Sequence, residues 1–229
     1  MKTHPILFSG PMVKTILEGR KTQTRRVIKP QPSPEMVKCG CGITGLWIGW
    51  DAQENEVWAS RCRYGVPGDR LAVKETYYRW GYWRGNGLTK TGKQRWIFVG
   101  NHNILYADNP PKDVKSNSDH SPGWYKRNSL FMPMWAVRLF LSLVTVRVER
   151  VQDISEADAI AEGIDYYKKY GWYRDYLAKP EGESHPFNDA VRSYQSLWDS
   201  INDPFPVTRI GHAWVYNPWV WVLEFRRAE

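Results

Sequence analysis

Gly10-Pro11-Met12-Val13-Lys14-Thr15-Ile16-Leu17-Glu18-Gly19-Arg20-Lys21-Thr22-Gln23-Thr24-Arg25-Arg26-Val27-Ile28 is the stretch on which the fold of this chain turns. Pro11 stands at a first-turn position that tolerates its missing N–H, and Met12, Ile16 and Leu17 fall on one side. Gly10–Leu17 is therefore predicted to be a short helix, with Gly19 as its stop. Lys21–Ile28 is rich in β-branched residues and is predicted to be extended, until Pro30-Gln31-Pro32-Ser33-Pro34 breaks it. A helix, a tight turn and a basic strand open the chain.

Working outward, Leu46–Trp50 and Val57–Ala59 read as a hairpin inside an insertion at about 35–62. Pro67-Gly68-Asp69 is a turn signal, and the strand predicted over Arg70–Tyr77 puts Leu71, Val73, Glu75 and Tyr77 on one face. A carboxylate on that apolar face is costly to desolvate, so Glu75 is expected to have a cationic or hydrogen-bonding partner. Residues 78–128 show little periodicity beyond strands at Trp96–Val99 and Ile104–Ala107, and read as a long aromatic-rich insertion. Ala136–Glu149 carries β-branched alternation in its second half. Asp153–Gly163 is predicted helical, with Ser155 as cap, Asp158 three residues later, Glu162 in the last turn and Gly163 as stop. A Tyr-, Lys- and Gly-rich connection at 165–188 leads to an amphipathic helix through Ala190, Val191, Tyr194, Leu197, Trp198 and Ile201, and Trp219–Phe225 is the final strand. Many strands with few helices and no internal repeat imply an α+β fold built on a small antiparallel barrel with flanking helices, in a single domain over 1–229.

The chain has 229 residues, 42% of them hydrophobic and 24% charged, a composition that excludes disorder and collagen-like structure. No apolar run approaches the ~20 residues that span a bilayer, and Ile6-Leu7-Phe8 is too short for a secretory signal, so a cytoplasmic protein with no membrane partner is expected. Thirty-two Lys and Arg against twenty-four Asp and Glu give +8, and residues 1–30 hold seven cations against only Glu18. A focused positive field attracts polyanions, and thirteen Trp with thirteen Tyr offer flat faces for unstacked bases.

Gly19–Arg26 resembles the helix-then-strand signature of the ASCH superfamily, a PUA-like β-barrel group tied to RNA biology. Pro67–Leu71 with Val73, Glu75 and Thr76 resembles its barrel strand. Met132-Pro133 with Trp135-Ala136, Val146–Val151, Asp153–Gly163, and Leu197–Asn202 with Asn217–Arg226 look like its longer bacterial and phage branch. The resemblance implies an amidohydrolase, because a small member removes the acetyl group of N(4)-acetylcytidine with a Lys, a Thr and a Glu. Carried over by motif, these are Lys21, Thr24 and Glu162, with no cofactor. A Lys whose pKa is lowered can take the proton of a Thr hydroxyl, and a Glu can pass one to the leaving amine. Arg20, Arg25, Arg26, Glu75 and Trp135 are the candidates for binding a modified pyrimidine nucleoside or single-stranded RNA or DNA. A non-catalytic reader of a modified base or RNA, and a ribonuclease, remain open alternatives.

Two features cut against a simple transfer. Lys21 and Thr24 are an odd number of residues apart and would face opposite ways on a regular strand, unless the turn after Gly19 or a bulge redirects one. Phe131 and Met134 stand where the long branch commonly has His and Arg, a change that reads either as core packing or as a stacking surface. Cys39-Gly40-Cys41-Gly42 and Cys62, with His102, His120, His185 or His212, lack the usual spacing of a zinc knuckle, and free thiols are expected. No glycine-rich phosphate loop, H-E-x-x-H or G-x-S-x-G occurs.

Overall fold

The computed structural model describes residues 1–41, 45–178, 187–202 and 212–228. In chain order they form β1 (Thr3–Leu7), α1 (Gly10–Leu17), β2 (Gln23–Val27), β3 (Lys38–Cys41), β4 (Leu46–Trp50), β5 (Glu56–Arg61), β6 (Arg70–Lys74), β7 (Tyr77–Leu88), β8 (Gln94–Tyr106), β9 (Val114–Lys115) and β10 (Gly123–Arg127). Then follow β11 (Phe140–Arg150), α2 (Glu156–Ala161), β12 (Tyr166–Tyr167), β13 (Trp172–Tyr173), α3 (Ala190–Asn202) and β14 (Trp219–Arg227). The fold is α+β. Among the described residues no helix is long and apolar enough to cross a membrane. His185 and Gly42 lie outside the described residues, as does the 179–186 part of the 165–188 connection.

Two compact units are distinguishable: Met1–His4 with Thr15–Leu71 and Leu141–Glu229, and Pro5–Lys14 with Ala72–Phe140. The larger part of a five-stranded sheet, ordered β1-β6-β11-β14-β2, belongs to the first. β14 runs antiparallel to both of its neighbours, with Val222 opposite Arg147 of β11 and Arg25 of β2. Such a central strand is covered on both faces, which accounts for the unbroken run of buried residues from Trp219 to Leu223. On one face Val220 and Val222 pack with Ala159 of α2 and with Ala190, Tyr194 and Trp198 of α3. On the other, Trp221 meets the rings of Trp47 and Trp58 from the three-stranded sheet β3-β4-β5, at centroid distances of 5.8 and 5.9 Å. The sequence showed β4 and β5 but not β3, a four-residue strand whose Gly40 and cysteines carry little β-propensity.

The second unit is built on the sheet β8-β7-β10-β9. β8 is one continuous strand of 13 residues where two short ones were expected, and β7 adds 12 residues in a segment without clear periodicity. Their cross-strand partners, such as Trp83 with Phe98 and Tyr82 with Val99, supply the order that composition hides. The strand expected over Arg70–Tyr77 is interrupted after Lys74. Glu75, 1% exposed, turns its two oxygens to Nε and Nη2 of Arg138 at 2.9 and 3.1 Å, and its backbone N–H donates to the Met132 sulfur. The expected cationic partner is Arg138, which also binds both oxygens of Asp108 at 3.0 Å.

Phe131 and Met134 do not pack in a core: they are 70% and 51% exposed. Both lie in short 3-10 turns, Ser129–Phe131 and Met134–Ala136, which bury Met132 and Ala136 and leave their neighbours outside.

Candidate functional site

Gly19, with φ at +74°, ends α1, and three backbone bonds then hold the following residues before the strand begins. Arg20 and Lys21 donate to the Thr15 carbonyl at 2.9 and 3.1 Å, and Thr22 donates to the carbonyl of Ala161 at the end of α2 at 2.9 Å. The β2–β14 register starts only at Gln23 opposite Glu224. Lys21 therefore belongs to the turn, and the strand alternation that would separate it from Thr24 does not govern it.

The turn sends the Lys21 side chain to the C-terminal end of α2. Its Nζ lies 2.7 Å from Glu162 Oε2 and 2.7 Å from the Glu162 carbonyl oxygen. Both residues are buried, at 2% and 5% exposure. Burial lowers the Lys21 pKa, opposed by the attraction and hydrogen bond of Glu162; Arg26 and Arg25 push it further down. Glu162 is the C-cap of α2, not a solvated last-turn residue. Gly163 follows at φ +81°, and a Cβ there would come within 2.8 Å of Lys21 Cβ and 3.1 Å of Thr15 Oγ1. The stop that ends the helix also makes room for the lysine.

Within β2, Gln23 and Arg25 share one face and Thr24 and Arg26 the other. Arg25 is fully buried and lies amid carboxylates: Nη1 is 3.5 Å from Glu162 Oε1, and Nη2 is 3.0 Å from Asp158 and 3.3 Å from Glu149. Gln23 hydrogen-bonds Asp158 and Glu224, and Arg147 binds Glu149, Asp158 and Glu224. Half of the expected capping box forms. Ser155 Oγ accepts from the Asp158 N–H at 3.1 Å, while the Asp158 carboxylate goes to Arg25 instead of reaching back to the cap. Tyr194 of α3 adds its ring 6.0 Å from the Arg25 guanidinium, and burial raises its hydroxyl well above the usual value.

The structure thus brings Lys21, Glu162 and Arg25 together. Thr24, 3% exposed, is opposite Leu223 on the other face of β2. Arg26 is partly buried, and burial lowers its pKa. Arg20 is spent on Glu18 and Asp165, so three of the seven cations of residues 1–30, Arg20, Lys21 and Arg25, are paired with carboxylates. Glu75 and Trp135 belong to the second unit, Glu75 engaged by Arg138 and Trp135 against His102 and Arg79. Glu149, Arg147 and Glu224 were missed by sequence reading, and Asp158 was read only for its place beside the helix cap, since nothing local marks these residues as partners of a strand more than 100 positions away.

No known family, curated protein or solved structure matches this chain. The ASCH resemblance therefore rests on its motif residues. Cys39, Cys41 and Cys62 are free thiols, and burial pushes Cys39 and Cys62 up to about 11. Among the described residues, no three His, Cys, Asp or Glu gather into a group that could hold a metal.

Proposed function

We propose that Lys21 and Glu162 are the proton-handling pair of an amidohydrolase that removes an N-acyl group from a modified cytidine, in a PUA-like barrel of ASCH type. The observation that carries this reading is the buried contact between the Lys21 ammonium and the Glu162 carboxylate. A lysine whose pKa is lowered by burial gives up its proton at lower pH than an exposed lysine, and the adjacent carboxylate can receive it.

In the proposed reaction, neutral Lys21 takes a proton from a water molecule as the water oxygen attacks the acyl carbon; Thr24, buried on the other face of β2, is not placed to be the nucleophile. The tetrahedral intermediate collapses with cleavage of the C–N bond, and Glu162 delivers the proton that the exocyclic nitrogen needs to leave as an amine. The acyl group leaves as the carboxylic acid, and the proton held by Lys21 passes to Glu162 across their 2.7 Å contact, restoring the pair. No organic cofactor enters. Arg25 holds Glu162 from its second oxygen and keeps the carboxylate oriented.

Incubation with N(4)-acetylcytidine, free and within a single-stranded oligonucleotide, tests the proposal by release of deacylated cytidine. Glu162→Gln is expected to lower kcat by orders of magnitude while leaving affinity within a few-fold, because proton delivery to the leaving nitrogen acts in the transition state, and Thr24→Ala should leave kcat near the wild-type value. No turnover of any N-acylated cytidine by wild-type protein would reject it. Turnover lost in Thr24→Ala with affinity unchanged would assign the attack to the threonine hydroxyl instead of water.

A further inference from the structure

The net charge of the chain is unevenly divided. The second unit carries twelve Lys and Arg against four Asp and Glu, a net +8, whereas the first carries twenty of each. The excess cations of the molecule therefore all belong to the unit that holds neither Lys21 nor Glu162. Within it, Arg138 takes Glu75 and Asp108, and Lys115 takes Asp119. Among the described residues, no ion pair engages Arg79, Lys126 or Arg127.

Two of these cations are held in place by rings. The Arg127 guanidinium lies 4.3 Å from the Phe98 centroid and 5.1 Å from that of Trp83. Arg79 lies 5.8 Å from Phe98 and 5.3 Å from Trp135, and donates to the carbonyls of Gly100 and Asn101 at 2.7 Å. A ring face or a carbonyl orients a guanidinium without cancelling its charge, as a carboxylate would. Beside them opens a cleft of about 560 Å³, lined by Trp83, Lys126, Arg127, Asn117, Asn128 and the exposed ring of Phe131. That volume is in the range of ligand-binding clefts.

We propose that this cleft is a binding site for single-stranded nucleic acid, with bases stacked on Phe131 and phosphates held by Lys126 and Arg127. Fixed cations beside exposed aromatic faces are the combination that binds single strands, because stacking needs a base that is not already stacked in a duplex. Asn117 supplies a donor and an acceptor for base edges, and Asn128, whose Oδ1 accepts from the Leu130 N–H, adds its amide donors. The site is distinct from the Lys21–Glu162 pair, and it stands whether or not that pair hydrolyses an amide.

The test is fluorescence anisotropy of the full chain with a labelled, unstructured 12-nucleotide RNA, its DNA counterpart and the corresponding duplex. The Lys126→Ala/Arg127→Gln double variant and Phe131→Ala are each expected to weaken single-strand binding about tenfold, the scale of one lost stacking or cationic contact. Lys90→Ala/Lys93→Ala removes two charges from the exposed turn between β7 and β8, and is expected to change affinity less than about threefold. Wild-type affinity should fall steeply between ~50 and ~200 mM salt. Phe131 is exposed, so its replacement leaves the fold intact, and unchanged circular dichroism checks this. Absence of single-strand binding at low salt would overturn the proposal. So would equal binding of the duplex, equal competition by polyglutamate, no effect of Phe131→Ala, or equal loss in the Lys90/Lys93 variant.

Discussion

The ammonium of Lys21 makes two bonds to one residue, at 2.7 Å to the Glu162 carboxylate and 2.7 Å to its backbone carbonyl. A single side chain thereby closes the C-terminal end of α2 and neutralises its cap residue. A cation at a helix C-terminus is also favoured by the helix dipole.

Lys21→Met keeps the length of the side chain and removes its charge, leaving Glu162 with Arg25 at 3.5 Å as its remaining ion-pair partner. Removing one member of a buried pair is expected to cost about 3–5 kcal/mol, and adding Glu162→Leu should return part of that loss. Urea unfolding of the two single variants and the double variant measures both. Additive losses in the double variant would show that the two residues do not act as a pair.

The pH dependence follows from the lowered Lys21 pKa. Between its folded value and its ordinary 10.5, the unfolded chain holds a proton that the folded chain has released, so stability from this group rises with pH across that window. Below the folded value both states are protonated and the desolvation cost is felt in full. The stability of wild type relative to Lys21→Met should therefore increase with pH as 10.5 is approached. The kcat/KM of an amidase should rise through the same lowered pKa. A difference that stays flat, with a rate limb at the ordinary lysine value, would contradict the lowered pKa.

Gly163→Ala places a methyl group where φ is +81° and Lys21 Cβ would be 2.8 Å away. The left-handed conformation alone costs about 1–2 kcal/mol for an L-residue, and the close approach adds to it by displacing Lys21. Loss of stability with a parallel fall in turnover is expected, read by thermal melts and single-turnover rates. Gly19→Ala has the same φ penalty at +74° but nothing within 4 Å of its Cβ, so it should cost less.

Arg138→Ala leaves Glu75 buried with neither of its guanidinium bonds and frees Asp108. A loss of about 3–5 kcal/mol is expected, whereas Asp108→Asn, at the exposed end of the same arginine, should cost less than about 1 kcal/mol. Chemical denaturation with the Trp-rich second unit as fluorescent reporter distinguishes them.

Local chemistry was legible in the sequence. α1 was read over Gly10–Leu17, its observed span. Ser155 caps α2 and Gly163 stops it, as the spacing indicates. Periodicity, caps and turn glycines act over a few residues, so their physics is written along the chain. The partner expected for Glu75 was legible although the strand stops at Lys74, because a carboxylate buried among apolar residues is too costly without one.

Tertiary structure alone decided which charges are buried and which remain to bind. Arg25 and Arg26 are adjacent and chemically identical, yet Arg25 is enclosed by Asp158, Glu149 and Glu162, which the chain supplies 124–137 residues later. The run of cations in residues 1–30 suggested a positive surface, but folding spends Lys21 and Arg25 on carboxylates. The unneutralised excess falls instead to a unit assembled from Pro5–Lys14 and Ala72–Phe140. Phe131 was open to core packing or stacking until a 3-10 turn buried its neighbour Met132 and left its own ring outside. Charge and exposure are properties of neighbours brought together from distant segments, and spacing along a single chain does not encode them.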